Sequence, residues 1–303
     1  MAQPIPRTTQ PDSDLKERVR AFWQEHPCGS KFSDAEIGTR EFFDRVEQHR
    51  YAKEWHIPAA ADFASTRGLK VLEIGCGVGT DGLQFARAGA TYTGIDLTEA
   101  AVELARKNFE SAGMPGKFCV SDAENLDFAD ESFDIAYSHG VLHHTPDIEA
   151  AVREVHRVLK PGGRAIVMLY HRGSYNYRIG IRVLRRAGAG LLRSEGGIKI
   201  VNRLTGEPVA SLREHAASLR NAQGQFSGAE LLNQSTDGAG NPLARVYSRR
   251  EARELFRDFS EVELRAYFLN KRFIPVVGNL LPRSIESMLA SRWGWHLWIY
   301  ATK

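Results

Sequence analysis

Between residues 69 and 82 the chain passes from an apolar run, Leu69-Lys70-Val71-Leu72-Glu73-Ile74, into a stretch with glycine at every second position, Gly75, Gly77 and Gly79, and again at Gly82. Glycine lets a backbone reverse sharply and approach a ligand closely, because no Cβ stands in the way. The spacing therefore predicts a buried strand that enters a helix through a tight, ligand-facing turn. Further apolar runs follow at 91–95, 117–121, 133–138 and 164–169, with amphipathic stretches at 99–113 and 148–160 among them. Buried strands alternating with helices predict an α/β fold, a doubly wound sheet with helices on both faces and right-handed crossovers.

Residues 67–170 hold this rhythm and define the core. Residues 1–66 read as a loose tail (1–14) and a helical cap, in which Val19, Phe22 and Trp23, then Phe42, Phe43, Val46 and Tyr51, recur at helical spacing. Residues 171–246 break the rhythm with Tyr175, Tyr177, a basic stretch at 178–186 and a polar, glycine-rich stretch at 233–243; this insertion after the fifth strand reads as a substrate-binding or lid segment. Residues 247–303 return to a helix (248–259) and two strands (259–269 and 294–302). A moderate loop joins those strands and predicts an antiparallel pair. The sum is a seven-stranded, mostly parallel sheet with one antiparallel strand.

The chain has 303 residues, 43% apolar and 25% charged, enough to bury a sizeable core. A net charge of +3 is too small to call for a nucleic-acid partner. Cys28, Cys76 and Cys119 show no CxxC spacing, which argues against a disulfide framework or a zinc site and for a reducing, cytoplasmic location. The polar, proline-containing start lacks the apolar centre of a signal peptide, and the chain has no long apolar run of the kind that spans a bilayer, so no stable membrane insertion is expected. Oligomeric state stays open.

Two fingerprints overlap in the glycine turn. Gly77, Gly79 and Gly82 fit the dinucleotide pattern G-x-G-x-x-G, with Asp96 at the distance of a ribose-binding acid. That reading makes the chain an NAD-dependent oxidoreductase. The other pattern is Glu73-x-Gly75-x-Gly77-x-Gly79, whose first glycine follows the strand directly and which needs no pyrophosphate cradle. Four stretches then carry a resemblance in the right order: VLEIGCGVGTDGLQFARAGA, GIDLTEAAVELAR, SDAENLDFADESFDIAYSHGVLHHTPD and HRVLKPGGRAIVM. Over about residues 69–170 the chain resembles class I S-adenosylmethionine (SAM) dependent methyltransferases of the group called methyltransferase type 11.

The resemblance implies SAM as cofactor and S-adenosylhomocysteine as product. It implies that Glu73 holds the methionine ammonium, that Gly75, Cys76, Gly77 and Gly79 let the cofactor lie against the backbone, and that Asp96 accepts from the ribose hydroxyls with Leu97 on the adenine face. Asp122 and the Ala123 backbone meet the adenine, and Ser138 and His139 end the fourth strand at the mouth of the site. Simpler roles stand beside these: a buried paired acid at Glu73, a turn aspartate at Asp122, and helix capping by Thr80 or Asp81.

The implied reaction is direct displacement, a nucleophile on the acceptor attacking the sulfonium methyl while water is kept out. A general base is needed only where the acceptor must lose a proton; His143, His139, His171 and Tyr51 are the candidates, with core packing an equal reading of Tyr51. His143 and His144 make a poor metal site, and no metal is predicted. The partner expected is a small-molecule acceptor, apolar or aromatic, and not a nucleic acid, because the chain lacks an aromatic-studded basic platform. Residues 178–186 read first as a solvated helix face and second as a contact for a membrane surface or an anionic substrate. A SAM-binding protein without methyl transfer is the remaining alternative.

Overall fold

The computed structural model describes residues 13–27, 29, 33–185, 190–205, 208–221, 232–233, 236–238, 240–270 and 281–303. Seven strands form one sheet: β1 (Lys70–Ile74), β2 (Thr91–Asp96), β3 (Lys117–Val120), β4 (Phe133–His139), β5 (Leu159–Tyr170), β6 (Glu261–Tyr267) and β7 (His296–Thr302). Their spatial order is β3-β2-β1-β4-β5-β7-β6. β7 runs antiparallel to both β5 and β6, and the other neighbours are parallel.

Alternation along the strands builds two cores. Val71, Ile135, Tyr137, Ile166 and Trp298 face one layer, where Ile57, Leu83 and Phe85 cover them. Leu72, Ile74, Ala136, Val167 and Ile299 face the other, under Ile148, Val152 and Val155 of a crossover helix. Period-two burial with both faces covered is what a doubly wound sheet requires, and it explains why the strands read as nearly continuous apolar runs. The sequence-based expectation of fold and strand polarity holds.

The helices are α1 (Ser13–Glu25), α2 (Arg40–Lys53), α3 (Ile57–Ala61), α4 (Thr80–Arg87), α5 (Glu99–Ser111), α6 (Ile148–Val158), a π-helix (Asn176–Arg185), α7 (Glu195–Thr205), α8 (Val209–Asn221), α9 (Arg249–Leu255) and α10 (Arg283–Trp293). Thr98 caps α5, Asp147 caps α6, and Ser248 with Glu251 makes a capping box on α9.

Three expectations change. Ser13 and Asp14 belong to α1 rather than to the tail, whose residues 1–12 lie outside the described residues, as do Cys28, Phe226 and part of the 233–243 stretch. The helix expected over 248–259 ends at Leu255, because Phe256 and Phe259 turn into the core. The cap over 15–66 is not separable from the core: Phe42, Phe43 and Val46 pack with Val78 of the glycine turn.

Candidate functional site

The carboxyl ends of β1, β2 and β4 open onto one cavity of about 430 Å³ that runs the width of the sheet. Ligands collect at this edge of an open α/β sheet, where the strand order reverses beside β1. The glycine turn forms its floor. Gly75, Gly77 and Gly79 have φ of 77°, 51° and 76°, values that favour glycine. The Gly75 and Cys76 amides both donate to the Ile95 carbonyl at 2.8 Å, which pins the turn to the end of β2. A Cβ on Gly75 would lie 2.2 Å from Cγ2 of Val141, so the turn is closed against the loop after β4.

Acids guard two points along this floor. Asp96 ends β2; its Oδ2 accepts from the Gly77 amide (3.1 Å) and its Oδ1 from the Thr98 amide (3.0 Å) and hydroxyl (2.9 Å). Burial raises its carboxyl above the ordinary carboxylate value against the pull of these bonds. Glu73 is 4% exposed and accepts from the Tyr92 hydroxyl at 2.5 Å. Burial, helped by the charge of Asp81, pushes the Glu73 carboxyl well above its usual range. A carboxyl raised in this way has most to gain from a cationic ligand.

Leu97, Asp122 and Ala123 line the β2–β3 end of the cavity. Asp122 does not stand alone there. Lys16 of α1 bridges Asp122 (2.6 Å) and Glu124 (2.5 Å), so the N-terminal helix closes this end, with Val19 and Trp23 also in the wall.

Asp81 departs from its expected place. Gly79 is the N-cap of α4 and makes no side-chain capping bond. The Asp81 carboxylate instead receives Nε of Arg50 (2.8 Å) and the hydroxyls of Tyr51 (2.9 Å) and Tyr137 (2.8 Å), with Nη2 of Arg50 as a fourth donor. Burial alone would raise this carboxyl; the Arg50 charge and the four bonds hold it below the ordinary value. Helix capping by Thr80 or Asp81 is one of two readings of this turn from the sequence, and a tertiary ion pair takes the Asp81 side chain.

Arg50 also fixes His139. Its Nη2 donates to Nδ1 of His139 at 3.2 Å, and since a guanidinium only donates, Nδ1 is the acceptor and the neutral ring carries its proton on Nε2. That Nε2 is buried and meets no partner among the described residues. Burial, then the Arg50 charge, keeps the ring well below the ordinary histidine value, hence neutral. His296 of β7 and His56 sit next to it, joined at 3.3 Å, and burial draws both down to about 3. Glu54, His139 and His296 bring donor or acceptor atoms within 4.8 Å of one another. The adjacent guanidinium and the Nε2 proton disfavour a cation there and favour a hydrogen-bonded ligand atom.

The other predicted residues divide. Ser138 is buried and donates to the Ile74 carbonyl (3.0 Å), a strand-to-strand bond outside the cavity lining. His143 is fully buried with its ring 3.8 Å from that of Tyr170, and it too lies outside the lining, whereas His144 is in it, beside Asp237 (3.3 Å). Tyr51 is held by Asp81 and is not in the lining, and His171 is tied to the Gly294 carbonyl (2.9 Å). The β5–β7 end has walls the sequence did not reveal: Met168, Tyr170, Phe268 and Trp295, with Tyr170 and Trp295 stacked at 4.3 Å. Lys16, Glu54 and His296 carried no motif that could have marked them.

Comparison with known proteins bears on the family and the fold. Residues 72–167 match the family described as Methyltransferase domain. A fatty-acid O-methyltransferase of Mycolicibacterium smegmatis is 37% identical over 154 residues, 50% of this chain and 52% of that protein. A sterol 4-C-methyltransferase of Caenorhabditis elegans is 32% identical over 127 residues, 41% of this chain and 38% of that protein. The matched segment thus spans about half, or less, of these relatives. The solved structure of magnesium protoporphyrin IX methyltransferase from Synechocystis with bound S-adenosylhomocysteine aligns over 96% of this chain and 100% of that one, at 16% identity and a TM-score of 0.52. This likeness extends the shared fold well beyond the matched domain.

Proposed function

We propose that this chain, whose residues 72–167 match the family described as Methyltransferase domain within a seven-stranded sheet, transfers the methyl group of SAM to a hydroxyl on a small, largely apolar acceptor. The observation that carries the reading is the polarity of the cavity along the strand order. Glu73, Asp96, Asp122 and the glycine floor occupy the β3-β2-β1 end, and the aromatic walls Tyr170, Phe268 and Trp295 occupy the β4-β5-β7 end, with Glu54, His139 and Asp237 among its polar groups.

The residues present fit SAM. Asp96 suits two ribose hydroxyls, Leu97 and Ala123 suit the adenine faces, Asp122 suits an exocyclic amine, and the raised carboxyl of Glu73 suits an ammonium. When bound, SAM supplies a methyl carbon already activated by its sulfonium. The chain's part is then to align the acceptor and exclude water. Met168, Tyr170 and Trp295 supply an apolar wall for the body of the acceptor.

The corner formed by Glu54 and His139 suits the acceptor oxygen. A hydroxyl wants one donor and one acceptor. Nε2–H of His139 is an unpartnered donor, and the Glu54 carboxylate is an acceptor that can take the proton as the oxygen attacks. Two hydrogen bonds of about 2.8 Å meeting at a tetrahedral oxygen set their outer atoms about 4.6 Å apart, and Glu54 and His139 each bring a donor or acceptor atom into a cluster whose atoms lie within 4.8 Å of one another. In this reading His139 orients the acceptor and is not the base, and His143 and Tyr51 support the walls from behind.

The test pairs two measurements. Calorimetry should give micromolar binding of S-adenosylhomocysteine and none of NAD, about −8 kcal/mol for the former. Labelled-methyl transfer should proceed to apolar alcohols, and Glu54→Gln should lower kcat with cofactor affinity unchanged. Binding of NAD alone, or transfer that is indifferent to Glu54→Gln, defeats the respective half of the reading.

A further inference from the structure

We propose that the segment following β5 seats this protein on an anionic lipid surface. Residues 171–205 contain eight lysines and arginines, Arg178, Arg182 and Lys199 among them, against one acid, Glu195. That is a net +7 within a chain of net +3, so the remaining residues are net negative. The basic character is concentrated in one stretch, not spread over the surface.

Aliphatic side chains are exposed in the same stretch. Ile179, Val183, Leu191 and Ile200 are 38–52% exposed, and they make up four of the nine exposed large hydrophobic residues among the described residues. On the π-helix, Arg178 and Arg182 form one outward row and Ile179 and Val183 the adjoining row, while Ile181 is buried and Tyr177 packs on the core. On α7, Lys199, Ile200 and Arg203 face outward, while Ile198 packs into the small core with Leu192 and Leu212. Two successive helices thus present mixed basic and aliphatic faces.

That combination selects a lipid headgroup layer. The cations meet anionic headgroups, and the aliphatic tips enter the acyl boundary beneath them. A nucleic-acid strand would want exposed aromatics for stacking, and the exposed apolar residues here are aliphatic. The π-helix begins at Asn176, which lines the cavity. A membrane-seated face would therefore adjoin the site, and an apolar acceptor could enter from the bilayer. The docking surface stands on its own observations; only this use of it rests on the proposed function.

The experiment is sedimentation of the full chain with phosphatidylcholine vesicles, with and without phosphatidylserine. Binding is expected only with phosphatidylserine and should weaken as salt rises. Arg178→Gln with Arg182→Gln should weaken it by about 25-fold, at roughly fivefold per charge. Ile179→Ser with Val183→Ser, which leaves every charge in place, should weaken it as well. All four side chains are exposed, so S-adenosylhomocysteine binding by both double variants should match the parent, which separates failure of this surface from failure of the cofactor reading. Absence of binding to phosphatidylserine vesicles overturns the proposal. So does binding that survives both double substitutions, or binding of single-stranded RNA in place of vesicles.

Discussion

Asp96→Asn isolates what the acid at the end of β2 contributes. The carboxylate accepts from three groups of its own loop, the Gly77 amide on Oδ2 and the amide and hydroxyl of Thr98 on Oδ1. Asparagine keeps the Thr98 bonds through its one oxygen and turns an NH2 toward the Gly77 amide, donor against donor. One bond to a charged acceptor is lost in the glycine floor, worth about 1.5–3 kcal/mol. In the proposed complex the same NH2 replaces the acceptor for a ribose hydroxyl, a second loss of about that size. The first loss falls on the free and the bound protein alike and lowers stability; the second predicts S-adenosylhomocysteine binding weaker by about 10- to 150-fold, at about 1.4 kcal/mol per tenfold. Asp122→Asn is the internal control. Its Oδ2 is paired with Lys16, both side chains are about 30% exposed, and Glu124 still holds that lysine. A partly exposed pair of this kind contributes about 1 kcal/mol or less, so the loss should stay within about fivefold. Titration calorimetry of both variants, with far-UV circular dichroism as a check on folding, gives the comparison. An Asp96→Asn protein that binds within threefold of the parent, or an Asp122→Asn protein that binds worse than Asp96→Asn, would refute the assignment of the ribose end.

Three further outcomes are expected. Asp81→Asn leaves the half-buried Arg50 with only Glu54, 3.7 Å away, in charge contact among the described residues; breaking a pair whose acid is buried costs up to about 3–5 kcal/mol, to be read from urea unfolding. Gly75→Ala places a Cβ against Val141 at a φ of 77° and should abolish cofactor binding, as thermal-shift titration would reveal. Stability should fall as pH drops from 7.5 to 5.5. His56, His139, His143 and His296 all titrate below the ordinary value when folded, so the unfolded chain takes up their protons first, at about 1.4 kcal/mol per pH unit per histidine below pH 6.5. Glu73, raised when folded, binds its proton earlier than the unfolded chain and works the other way. Four rings outweigh the one carboxyl, so the net change is a loss of stability by pH 5.5, and a flat or rising urea midpoint over that range would contradict the burial of these rings.

The sequence was most informative where structure is local. Apolar runs located β1, β2 and β4 to within a residue, because strands covered on both faces must be apolar throughout, and located β3 as closely although that edge strand is largely exposed. The glycine turn, Asp96, Leu97, Asp122 and Ala123, which the resemblance implied as cofactor contacts, line the cavity because they follow strand ends. What stayed hidden is contact between distant segments. Lys16 meets Asp122 across 106 positions, Arg50 meets His139 across 89, and His56 meets His296 across 240. Periodicity reports that a face is buried and is silent on what buries it.

Asp81 shows how a correct local rule leads to the wrong partner. It stands in the first turn of α4, where an acid complements the helix dipole and commonly serves the free amides. Had it capped the helix, its charge would have been spent on backbone within its own turn. The fold instead gives the cap position to Gly79 and turns Asp81 toward Arg50, Tyr51 and Tyr137. Two consequences follow for the site. The positive end of α4 keeps no side-chain cap beside the glycine floor, a favourable setting for an anionic group of a ligand. And Arg50, anchored by Asp81, holds Nδ1 of His139 and so decides that Nε2 carries the proton. The tautomer of a ring at the end of β4 is thus set by an acid on α4 through an arginine on α2, three segments whose proximity no spacing in the sequence encodes.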